Sequence, residues 1–165
     1  MSDESLAKPH DIAAGEIDGW RGRSLDLFAK AERAVALALE AASDKDASLT
    51  IRHLAGQRMA NLIKLIEGDS KATEKQRNAL RRALEAWERV EPQRAYLAHG
   101  VATVMLDRQA SWHVQFDFTK YQAKNREPQR WNCSKREAEQ FEAELEQGFK
   151  NLSAQLGQFR KRHFS

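Results

Sequence analysis

One cysteine, three prolines and eight glycines are all that 165 residues hold of these types. A single thiol, Cys133, rules out an intrachain disulfide and a cysteine-based zinc site, which fits a reducing compartment. Few helix breakers in a chain that is 31% charged and 41% hydrophobic favour a helix-rich protein with a charged exterior. The longest uninterrupted apolar run covers residues 34–39, far short of the roughly 20 residues that span a bilayer. The acidic opening, MSDES, has neither a basic n-region nor an apolar h-region. These absences lead to the expectation of a cytoplasmic protein without membrane association. No P-loop, dinucleotide-binding glycine pattern or nucleophile elbow occurs, so no cofactor is expected. His53, His99, His113 and Asp117 lack metal-ligand spacing, and no metal is expected either.

What the chain does have is uneven charge. Residues 1–50 carry 6 Lys and Arg against 10 Asp and Glu, residues 51–136 carry 17 against 9, and residues 137–165 carry 4 against 5. The basic middle raises nucleic acid as a partner.

Hydrophobic periodicity then divides the chain. Residues 1–16 lack a sustained period and are expected to form a flexible arm, followed by a single domain over residues 17–165. Trp20, Leu27, Ala31, Val35, Ala38 and Ala42 recur at helical steps, as do Ile51, Leu54, Ala55, Met59, Leu62 and Ile66, which end at Gly68. Gly68 is expected to close that helix in the left-handed conformation. Thr73 and Gln76 have capping-box spacing ahead of a third helix through Leu80, Leu84, Trp87 and Val90. Pro92 is expected to kink that helix or to start a short new one reaching His99.

The period next falls to two. Residues 101–106 are β-branched and apolar, DRQAS supplies a turn, and Trp112, Val114, Phe116 and Phe118 alternate with polar residues. This predicts a β-hairpin at about residues 101–119 with one apolar face. Residues 120–132 read as a polar loop. Ser134 and Glu137 then form a second capping box, opening a long helix striped by Ala138, Phe141, Leu145, Phe149, Leu152, Leu156 and Phe159. The expected fold is mainly α: an antiparallel four-helix bundle with a β-hairpin inserted between the third and fourth helices.

Two segments carry chemistry. In the first, RAYLAHG at residues 94–100, Arg94 and His99 stand five positions apart at the predicted helix end, before Gly100. Arg108 and His113 share that spacing but straddle the predicted turn. A bundle with Arg, four residues, His and Gly ahead of a hairpin resembles the HEPN superfamily, in particular bacterial members with an RNxxAHG-like segment. The match covers Arg94, Ala98, His99 and Gly100, and Ala95 stands where many catalytic members carry Asn, Asp or His.

The resemblance implies an RNA-interacting homodimer and a metal-independent endoribonuclease activity. His99 would do proton work and Arg94 would grip the phosphate, as the imidazole and guanidinium are suited to do. Five residues at 100° put the two about 140° apart on one helix, so two chains would have to share the site. The alternative is a non-catalytic dimerisation or protein-interaction module, such as a toxin–antitoxin component with an antitoxin-like protein as partner. The same residues also read simply as a helix terminus, with His99 in the last turn and Gly100 as a left-handed C-cap.

The second segment interleaves Lys120, Lys124, Arg126 and Arg130 with Tyr121 and Trp131. Cations suit phosphates and flat rings suit unpaired bases, so these six residues are candidates for nucleic-acid binding.

Overall fold

The computed structural model describes residues 8–44 and 55–164. Ile51, Leu54 and most of the turn expected before them lie outside the described residues. The element order is α1 (Pro9–Ser43), α2 (Ala55–Glu67), α3 (Glu74–His99), β1 (Val101–Leu106), β2 (Trp112–Gln122), β3 (Asn125–Ser134) and α4 (Lys135–Phe164).

The expected four-helix bundle with an inserted hairpin is not the architecture. A three-stranded antiparallel sheet in the order β1-β2-β3 follows α3, and the chain divides into two compact units rather than one bundle. The segment expected to be a polar loop is the end of β2, a turn at residues 123–124, and β3. The helix expected from residue 17 begins at Pro9, a residue preorganised for a first helical turn. The carbonyl of Lys8 accepts from the amides of Asp11 and Ile12, and Ala13 and Ile17 are buried.

One unit comprises residues 26–91 and 145–165. Its core is the apolar stripes of four helical segments: Phe28, Ala31, Val35 and Leu39 from α1; Met59, Leu62 and Ile66 from α2; Leu80, Leu84 and Trp87 from α3; Leu145, Leu152, Leu156 and Phe159 from α4. Phe28 meets Trp87 edge-on at 5.4 Å between centroids, a favoured aromatic geometry. Thr73 and Gln76 exchange the reciprocal bonds of a capping box at 2.9 and 3.2 Å. Gly68 does not take the left-handed conformation expected of it. Asp69, just beyond, is buried, accepts from the Lys71 amide at 3.0 Å and lies 3.5 Å from both Arg162 and His163.

The other unit comprises residues 1–25 and 92–144. The alternation of β2 turns Trp112, Val114 and Phe116 inward, where they are buried, and leaves His113 exposed. Trp20 of α1 is central to the core, with Trp112, Phe116, Trp131 and Phe141 all within 6.3 Å of its ring. Its indole nitrogen donates to the Ala138 carbonyl at 2.9 Å, which satisfies the one polar atom this burial would orphan. Ser134 and Glu137 form the predicted capping box at the start of α4.

Candidate nucleic-acid interface

The register of β2 on β3 sorts the candidate residues. Phe116 pairs with Trp131, Asp117 with Arg130, Thr119 with Pro128, Lys120 with Glu127, and Tyr121 with Arg126. Opposed residues share a face and successive residues alternate, so Tyr121, Arg126 and Arg130 lie on the face opposite to Trp112, Val114 and Phe116. Lys120 lies on the other face, and Lys124 sits in the turn. Residues 119–128 are exposed throughout. They form a two-stranded ribbon that extends past the packed part of the sheet, and Tyr121 is 73% exposed.

Trp131 is placed differently from its five companions. It is half-buried, stacked on Phe116 at 5.8 Å and edge-on to Phe141 at 5.4 Å. Arg130 is exposed and donates to Asp117 at 2.7 Å. That guanidinium, with a bond from Gln115, holds the Asp117 carboxyl below its ordinary range. Lys120, Tyr121, Lys124 and Arg126 are therefore the part of the set on the protruding ribbon, with Glu127 the one acidic side chain among residues 119–128.

The end of α3 has its own logic. The helix runs through Pro92 to His99 as one element, so the alternative of a short new helix after Pro92 does not occur. Pro92 is exposed, and the single carbonyl it leaves without an intrahelical donor, that of Glu88, is the only helical bond its ring removes. Arg94 is half-buried and His99 is exposed. Gly100 is not left-handed; its role is one of space. A Cβ there would overlap the Tyr96 carbonyl oxygen and lie 2.9 Å from Phe116 Cβ. The Gly100 amide donates to Tyr96 at 2.8 Å.

The side chain that satisfies this terminus is Arg21. Its guanidinium donates to the Leu97 carbonyl and, at 3.0 Å, to the Gly100 carbonyl, and lies 5.5 Å from the Phe116 centroid. A cation at the negative end of the helix dipole is favourable there. Nothing local in the sequence points to Arg21, because it is 76 residues from Leu97.

Cys133 is buried, and burial first, with the Glu137 carboxylate second, pushes its thiol up to about 12; it is no nucleophile at neutral pH. Among the described residues no cluster of His, Cys, Asp and Glu could hold a metal ion, and no helix is long and apolar enough to cross a membrane. The chain matches no protein-family model, and neither a curated protein nor a solved structure is significantly similar to it.

Proposed function

We propose that the protein binds single-stranded RNA through the β2–β3 ribbon. The observation that carries this reading is the exposed ring of Tyr121 directly opposite Arg126, with Lys120 and Lys124 at the same end of the ribbon. A base stacks on the ring while neighbouring phosphates meet the cations. Every base has a π-face, so recognition of this kind tolerates sequence and falls steeply with salt.

The test is fluorescence anisotropy with a short labelled oligouridylate, titrated at several salt concentrations. Tyr121→Ala should weaken binding by at least about fivefold, the lower end of what one stacked base contributes. Replacing Lys120, Lys124 and Arg126 by Ser should lower the slope of log K against log salt by about 0.7 for each cation removed. Failure of the parent to bind, or equal binding by all variants, overturns the reading.

Metal-independent cleavage at Arg94 and His99 is a second reading, favoured by the exposure of His99 at the end of α3. Incubating the same RNA with parent and His99→Ala protein in chelator tests it: cleavage must occur with the parent and vanish with the variant.

A further inference from the structure

The two edges of the sheet are built differently. β3, one edge, carries Arg126, Glu127, Pro128 and Arg130, the charges and the proline by which edge strands discourage a further strand. β1, the other edge, reads VATVML. It holds no charge, no proline and no glycine, and among the described residues β2 is its sole strand partner. Alternate residues of an edge strand present amide and carbonyl groups to the open side, a template for one more strand. The apolar side chains are open too: Val101 is 72% exposed, Met105 43% and Leu106 36%.

We infer that β1 is a dimerisation edge, pairing antiparallel with β1 of a second copy to join two sheets into one of six strands. Symmetry and side-chain direction fix the register. A two-fold axis perpendicular to the sheet keeps equivalent residues on the same face, and opposed residues in a ladder must share a face. Only residues that differ by an even number can therefore face each other. Centring the axis on Thr103 sets Val101 opposite the partner's Met105 and Ala102 opposite the partner's Val104. The two most exposed apolar residues of the strand cover each other, twice. Centring it on Val104 leaves Val101 without an opposite number inside the strand. An unrelated strand would satisfy the backbone groups as well, but this matching of one strand to itself selects a second copy as the occupant.

The register has a consequence for the end of α3. It sets the two copies of Val101 about 13 Å apart along the shared ladder at the usual rise of a strand, and the two α3 helices, which end at His99, lead into that ladder from opposite ends. The two ribbons stay clear of the interface.

The test uses the full chain. Sedimentation equilibrium should find a dimer, and Val101→Lys with Met105→Lys, both at exposed positions, should raise its dissociation constant at least about 100-fold through lost burial and like-charge opposition. A single exposed thiol reads the register. Thr103→Cys brings two cysteines to a Cα separation of about 4.5–5.5 Å across the axis, within disulfide reach, so mild oxidation should give a covalent dimer. The same change at Gln115 should give none. A parent protein that stays monomeric, or a dimer that survives both lysines and gives no Thr103→Cys crosslink, overturns the inference. RNA binding by the ribbon is measured separately and stands or falls without it.

Discussion

His99 and Gly100 of the motif serve different physical ends. Gly100 is required by packing, since a methyl group there would overlap the Tyr96 carbonyl and press on Phe116. His99 projects into solvent and carries no such constraint. Gly100→Ala should therefore destabilise the protein by about 1–3 kcal/mol, the usual cost of overpacking, whereas His99→Ala should stay within about 0.5 kcal/mol of the parent. Urea unfolding of the two variants separates the roles; a tolerated Gly100→Ala would mean that α3 and β2 can move apart. The motif was legible in the sequence as a helix end, but its reason was not. The groups that make glycine necessary and that cap the terminus, Phe116 and Arg21, are brought there by other elements.

Among the elements, legibility followed apolar sequence, which marks β1 although none of its residues is buried. β1 has the predicted bounds, and the alternation of β2 is visible because Trp112, Val114 and Phe116 pack inward. β3 was hidden for the converse reason. Beyond Phe118 and Gln129 the ribbon packs on nothing that would select apolar residues for one face, so Lys120, Gln122, Asn125 and Glu127 occupy positions that alternate with equally polar ones. Pro128 deepened the disguise, since proline argues against a strand except at an edge, which is where β3 lies. The weak alternation of Trp131 and Cys133 with Arg130 and Asn132 was the signal available.

The turn from β1 to β2 was predicted and carries a correctable strain. The Asp107 carboxylate accepts from the amides of Gln109 and Ser111 at 2.8 and 2.9 Å, and Ala110 closes the turn at φ 60°. Glycine commonly occupies that left-handed position in such hairpins, because a Cβ costs roughly 1–2 kcal/mol there. Some of the gain is offset by the greater freedom of glycine in the unfolded chain. Ala110→Gly should stabilise the protein by about 0.5–1 kcal/mol by the same urea measurement, and a loss of stability would refute the turn geometry.

Across the whole molecule, the shifted carboxylates among the described residues fall in one of the two units. Glu16 is held low by Lys135 first and the Trp112 indole second, Asp107 by the amides of Ser111 and Gln109, Asp117 by Arg130 and Gln115, and Glu137 by its bonds with Ser134. All four belong to the unit of residues 1–25 and 92–144. Each folded carboxyl titrates below its unfolded counterpart, so its contribution is present above the ordinary carboxylate range near pH 4 and is lost as pH falls below that range. Lys135, raised chiefly by Glu16, acts in the opposite sense: its contribution is complete below the ordinary lysine range and lost only at strongly alkaline pH. The melting temperature should therefore fall as the solution is acidified from about pH 5 toward pH 3. The tryptophans Trp20, Trp112 and Trp131 lie in the same unit, so their fluorescence reports the loss. Salt divides the four groups further. The exposed pairs Glu16–Lys135 and Asp117–Arg130 should be screened, while the backbone bonds to Asp107 and Glu137 persist. Glu16→Gln with Glu137→Gln, which keep hydrogen-bonding capacity but cannot ionise, should flatten the acid limb of melting temperature against pH. An acid limb as steep in that double variant as in the parent would show that other groups govern the transition.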